Sequence, residues 1–218
     1  VAITKSTTGT ERPTIPAADV PIVANFSYEM WVRFDVSSGI ERVIHNYTGG
    51  KGTSIYRSGG SIYASVGYGA GNVQTAYVWA PTLGQWYHMA AVFESGVSIK
   101  HYIDGVLVDE KTTVNTWALG VASYNLGFGM HGDGSTGPLR GAFAGIHWYE
   151  RLLSASEIND SYQSGGAIHN PDSCVVNMSC HGVDGATFST TTGDHGVVMS
   201  KQGTGTLVYE ACPYPRSA

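Results

Sequence analysis

The chain has 218 residues, of which 13% are charged, 29 are Gly and 13 are Tyr. That length suits one large β domain, and the Gly-rich, charge-poor composition favours many short strands over helices. A net charge of −5 without any Lys/Arg cluster argues against a nucleic-acid backbone partner, and no apolar run reaches membrane-spanning length.

Residues 1–5 alternate as a short strand would. Pro13-Thr14-Ile15-Pro16 reads as extended chain, because each proline excludes helix for the residue before it. Residues 26–35 read as a strong strand. Phe26, Tyr28, Met30, Val32 and Phe34 share one face, while Trp31 sits on the other among Ser27, Glu29 and Arg33. Both faces are therefore expected to be at least partly covered. Residues 42–46, 53–57, 61–67 and 74–80 follow as strands, with Ser58-Gly59-Gly60 turning one hairpin.

The most informative stretch is 84–108. Three runs, 86–93, 97–103 and 106–111, are separated by Glu94-Ser95-Gly96 and by Asp104-Gly105. Asp and Gly both tolerate the positive φ of a type I′ turn, whose twist matches that of paired strands. The three runs should form an antiparallel meander. Residues 122–130 and 142–150 are two more strands around a Gly-rich loop. Ser154-Ala155-Ser156-Glu157 is a capping box, opening a helix that runs to about Gln163 and stops at Gly165-Gly166.

After Gly166 the texture changes. Residues 167–218 carry Cys174, Cys180 and Cys212 and modest strand candidates around Thr187, Val197 and Val208. A segment of roughly fifty residues rarely buries enough apolar surface to stand alone. It is expected as an extension that packs on the main domain (1–166), is stapled by a disulfide among the three cysteines, or packs on a neighbour. An odd cysteine means a free buried thiol or a bond to another chain.

Phe26-Ser27-Tyr28-Glu29-Met30-Trp31-Val32 resembles the early core strand of laminin G-like (concanavalin A-like) jelly rolls. Residues 84–90 with Tyr102-Ile103-Asp104-Gly105-Val106 resemble that family's central meander. Residues 141–146 with 152–158 resemble its closing strand and helix. The pieces occur in order over about residues 1–166. The resemblance implies an all-β antiparallel jelly-roll sandwich with one short helix. It does not settle function, because this superfamily holds lectins, adhesion modules, pentraxin-like proteins, glycosidases and lyases.

The hydrolases of this fold carry a Glu-x-Asp-x-x-Glu or Glu-x-Asp-x-Glu strand, with an acid and a nucleophile on one face. No such motif occurs, and Glu29, Glu94, Glu110, Glu150 and Glu157 stand isolated in sequence. Gly145-Ile146-His147 is the nearest match to the lyases' Gln-Ile-His, with Tyr149 on the same strand face; His147 reads more readily as packing than as a base. The eight histidines lack zinc spacing. Calcium is the cofactor the resemblance allows, with Asp133 in the Gly-rich loop and Asp35 as candidate ligands.

Sugar sites need a flat ring and a few orienting polar groups. Tyr68, Tyr77, Trp79, Trp117, His131, Asp133 and Arg140 are the candidates, whereas Trp31 and Trp86 match structural positions. Sequons at Asn25, Asn46, Asn159 and Asn177 are candidate glycosylation sites. A start at Val1 without a leader reads as a mature, secreted product. The expectation is a non-enzymatic extracellular module binding glycan or protein through rim loops. The alternatives are a fibril or matrix subunit assembled through donated terminal strands, and a polysaccharide-active enzyme.

Overall fold

The computed structural model describes residues 2–4, 12–20, 23–37, 39–113, 115–117, 124–134, 136–165, 173–178, 200–202 and 208–210. The first eight strands in chain order are β1 (Ala2–Thr4), β2 (Arg12–Ile15), β3 (Phe26–Phe34), β4 (Glu41–His45), β5 (Thr53–Ser58), β6 (Ser61–Gly67), β7 (Asn72–Gln74) and β8 (Tyr77–Val78). The others are β9 (Trp86–Glu94), β10 (Ser98–Ile103), β11 (Val106–Thr112), β12 (Leu126–Phe128), β13 (Gly141–Tyr149), β14 (Cys174–Met178), β15 (Ser200–Gln202) and β16 (Val208–Glu210). Helix α1 (Ala155–Gln163) follows β13.

These strands form two antiparallel sheets. Sheet A runs β11-β10-β9-β3-β13-β1-β16, with β14 also on β13. Sheet B runs β15-β2-β12-β4-β5-β6-β7, with β8 also on β6. The chain is thus a jelly-roll β-sandwich. The β9-β10-β11 meander forms as the turn chemistry dictates, with Asp104 and Gly105 at φ 51° and 77°. Asp104 closes the turn from both sides: its N–H donates to the His88 carbonyl, and its Oδ1 accepts from the His88 N–H at 2.8 Å.

The core lies between the sheets. Phe26, Tyr28, Phe93 and Trp148 pack together there, with Phe26 stacked on Phe93 at 4.5 Å between ring centroids. Keeping β13 in this core requires a break in its alternation. Phe143, Ile146 and Trp148 are all fully buried in the core, which strict two-residue periodicity forbids. A bulge between Ala144 and His147, built on Gly145 at φ 55°, inserts the extra residue. It restores Ile146 and Trp148 to the core and sets His147 opposite Glu29 on the outer face.

Helix α1 covers that outer face. Its capping box is complete, the Glu157 N–H donating to Ser154 Oγ at 3.2 Å and the Ser154 N–H to Glu157 Oε2 at 2.8 Å. Ile158 is buried against Tyr149 and Leu153, and the Tyr162 ring stacks on Trp31 at 6.0 Å. Sheet A is therefore closed on both sides where β3, β9 and β13 run.

The structure places the terminal segments and corrects two strand bounds. The described terminal strands pair with their own sandwich: β1 and β14 share one edge of β13, β15 pairs with β2 and β16 with β1. The strand expected over 74–80 is two short ones, because Thr75 turns inward and its Oγ1 accepts from the Ala64 N–H at 3.0 Å. The strand expected over 122–130 is limited to Leu126–Phe128 among the described residues. Cys174 is a free buried thiol donating to the Val176 carbonyl at 3.1 Å. Burial pushes that thiol up to about 12, with Glu29 adding to it, so it stays protonated. Cys180, Cys212, Thr187 and Val197 lie outside the described residues.

Gly145→Ala should destabilise the fold by about 1–3 kcal/mol, the cost of forcing a side chain into positive φ. A urea titration measures it, and an unchanged midpoint would mean that the bulge is not needed.

Candidate functional site

Sheet B carries the exposed chemistry. Along β5 and β6, Ile55, Ile62, Ala64 and Val66 point into the core. Alternation places Ser54, Tyr56, Tyr63 and Ser65 on the opposite face. The half-buried rings of Tyr56 and Tyr63 stack at 4.7 Å between centroids, 11° from parallel. Amides orient beside them: Tyr56 Oη donates to Gln74 Oε1 at 3.1 Å, and Asn72 Nδ2 donates to Ser65 Oγ at 3.2 Å and Gln74 Oε1 at 3.0 Å. Ile40, Arg42, His45, Tyr47, Ser54, Tyr56, Ser65 and Asn72 enclose a groove of about 260 Å³.

One wall of this groove is aromatic and charged. His45 and His131 face each other at 4.2 Å between centroids, and Tyr124 packs edge-on against His131. Burial, together with His131 and Arg42 beside it, holds His45 down to about 3, so its imidazole is neutral. His131 Nδ1 contacts Asp133 Oδ1 at 2.6 Å. Beyond Arg42 opens a second cleft of about 610 Å³, walled by Ile40, Thr136, Gly137, Pro138 and Arg140. The cleft is framed by a buried ion pair. Arg57 binds the fully buried Glu41 through Nε at 2.9 Å, and its Nη2 donates to the Val36 carbonyl at 2.6 Å. Glu41 also accepts from the Arg140 N–H at 3.2 Å, so one carboxylate fixes the loops on both sides of β4.

Of the residues singled out from sequence, Arg140 lines the cleft, while His131 packs behind the groove on His45 with Asp133 beside it. The aromatic candidates line neither. Trp117 is only 5% exposed, inside the core. Trp79 packs edge-on to Phe34 and Tyr87, and Tyr77 and Tyr68 lean on the same core. Asp35 and Asp133, the candidate calcium ligands, are each engaged by a neighbouring side chain. Asp35 is held by Arg33 through two bonds of 2.8 and 3.0 Å, Asp133 is matched by His131, and no group of three His, Cys, Asp or Glu able to hold a metal occurs among the described residues. Asn46 is buried, its Oδ1 accepting from the Thr53 N–H at 2.8 Å. Asn25 and Asn159 are exposed, and the Asn177 side chain lies outside the described residues.

Sequence reasoning missed Arg42, Tyr56, Tyr63, Asn72 and Gln74. The signal was present: β5 and β6 alternate core aliphatics with Ser and Tyr, the pattern of a strand with one wet face.

It also missed a buried polar cluster beneath α1. Glu29, read as isolated, accepts at Oε1 from Tyr149 Oη at 2.7 Å and Ser161 Oγ at 3.2 Å, and its Oε1 lies 3.1 Å from His147 Nδ1. His88 Nε2 stands 3.8 Å from Oε2. Burial pulls Glu29 upward, but the His147 contact, the two histidines' charge and the Tyr149 hydrogen bond outweigh it and leave the carboxyl below its ordinary range. Glu29, His88 and His147 are each 1% exposed, so this cluster is closed to a substrate beneath α1.

A family model covering residues 7–159 matches the chain, that of the concanavalin A-like lectin/glucanases superfamily. The chain belongs to this superfamily. Two solved structures of similar fold are those of a Bacteroides ovatus protein to which carbohydrate binding has been ascribed and the heptameric SAP-like pentraxin of Limulus polyphemus. The first is 12% identical with a TM-score of 0.72 over 95% of this chain and 61% of its own. The second is 14% identical with a TM-score of 0.59 over 94% and 90%. At such identities the likeness speaks for the fold. The chain spans about three-fifths of the length of the first. No curated protein matches it. The superfamily's lectin-like fold supports a binding module.

Two outcomes test the buried polar groups. Burial lowers His88 and His101 to about 4, so below 6.5 the unfolded chain takes up protons that the fold refuses. The thermal midpoint should hold steady above pH 7 and fall between pH 6.5 and 4; a flat profile there would contradict the burial. Glu29→Ala leaves three polar partners stranded and should cost about 3 kcal/mol or more in chemical denaturation. A neutral result would show that the cluster contributes nothing.

Proposed function

We propose that this superfamily member is an extracellular, non-enzymatic recognition module that binds glycan on the outer face of sheet B. The observation that carries the reading is the Tyr56–Tyr63 stack beside a groove lined by Tyr56, Tyr47, Asn72 and Arg42, with Gln74 hydrogen-bonded to Tyr56. A sugar ring stacks its C–H face on such a platform, while amides and a guanidinium fix its hydroxyls. The ascribed carbohydrate binding of the Bacteroides ovatus neighbour supports the same reading. The absence of a paired-carboxylate strand and the closure of the Glu29 cluster favour binding over hydrolysis. Export is consistent with the exposed sequons at Asn25 and Asn159.

Self-assembly is a second reading. Edge strand β11 exposes Val106 and Leu107, and the Limulus neighbour is heptameric. Light scattering at rising concentration tests it, and a persistent monomer would remove it.

A glycan array should show a defined set of sugars bound, and Tyr56→Ala should weaken the best of them at least ~10-fold, about 1.4 kcal/mol. A blank array, or equal binding by the variant, would overturn the assignment.

A further inference from the structure

The groove and the neighbouring cleft share two residues, Ile40 and Arg42. A ligand seated on the tyrosines and extending past Arg42 meets Arg140 next. The cleft is lined by two guanidinium groups and no carboxylate. The acids nearby are already engaged. Glu41 is fully buried on Arg57, and Asp133 is in contact with His131. Arg140 Nε stands 4.0 Å from Glu41 Oε1, outside hydrogen-bonding range, and its side chain is 28% exposed.

Arg42 is set in place by the loop it lies against. Its N–H donates to the Gly137 carbonyl at 3.0 Å. A Cβ on Gly137 would fall 1.9 Å from Arg42 Nη1, so only glycine lets the guanidinium lie there. Nη1 is buried without a hydrogen-bond partner. Burial depresses the group, and Asp133 and Tyr56 oppose that effect. The protein as a whole carries −5, so general attraction does not draw anions to it. Whatever anion binds here is selected by this pair.

A planar guanidinium matches the paired oxygens of a carboxylate or a sulfate, and a neutral sugar leaves such charges unanswered. We infer that the ligand is an anionic sugar, a uronate or a sulfated residue, whose acidic group lies between Arg42 and Arg140. This rests on the glycan reading above.

The test uses the whole chain and four probes: a galacturonate hexamer, its methyl ester, a heparin-derived hexasaccharide and a neutral β-glucan hexamer. Titration calorimetry at low and at moderate salt reads the affinities. At least one acidic probe should bind on the order of 10-fold tighter than the ester and the glucan. Arg140→Gln should erase that preference, and added salt should weaken the acidic probe most. A tighter uronate assigns a carboxylate to the pair, and a tighter heparin fragment assigns a sulfate. Arg140 is partly exposed, and an unchanged melting temperature confirms that its variant folds. If ester and glucan bind as well as the acids, and Arg140→Gln changes nothing, the anionic assignment falls while glycan binding stands. If none of the four binds, and a broad array is also blank, both fall.

Discussion

Sheet A is wrapped on both faces along β3, β9 and β13, and most of the structure follows from that. The inner face meets the aromatic core and the outer face meets α1. A strand buried on both sides has nowhere to put a carboxylate in water. Glu29 is therefore held in place by hydrogen bonds from Tyr149 and Ser161, with His147 and His88 packed 3.1 and 3.8 Å from its oxygens. The bulge at Gly145 makes this possible, since it alone puts His147 across from Glu29 while Trp148 remains in the core. The same wrapping moves any recognition role to the other sheet.

Sheet B answers with different chemistry. Its outer face holds tyrosines, amides and one half-buried arginine, and its loops are tied by the Arg57–Glu41 pair. Arg57 also lies over the Phe34 ring at 5.1 Å, so the charge is braced by the core itself. The bond from the Arg140 N–H to Glu41 carries this rigidity across to the cleft. A preformed, braced wall lowers the ordering cost of binding. On the proposed reading, fold stability and ligand selection share one buried carboxylate.

How much of this was legible depended on how local its cause is. The β9-β10-β11 meander and α1 were readable because Asp104-Gly105 and the Ser154–Glu157 capping box act over two to four residues. The burial of Trp117 was not, since it depends on Ser95 Oγ and the far end of the β9–β10 turn receiving its backbone. Glu29 looked isolated because His147 lies 118 positions away, and only sheet order with the bulged register joins them. Asn46 reads as a sequon, yet its side chain is spent on the Thr53 N–H across a tight Gly turn. The binding face was half legible. Alternation in β5 and β6 marks Tyr56 and Tyr63, but their convergence with His131 and Arg140 is set by the β12-β4-β5-β6 order.

The division of labour between the two sheets is most directly tested by mapping ligand contacts on the isotope-labelled protein by nuclear magnetic resonance. Titration with a bound oligosaccharide should move the signals of Arg42, Tyr56, Tyr63, Asn72 and Arg140 and leave the Trp31, His88 and His147 signals beneath α1 in place. Shifts centred on that sealed cluster, with sheet B silent, would contradict the account.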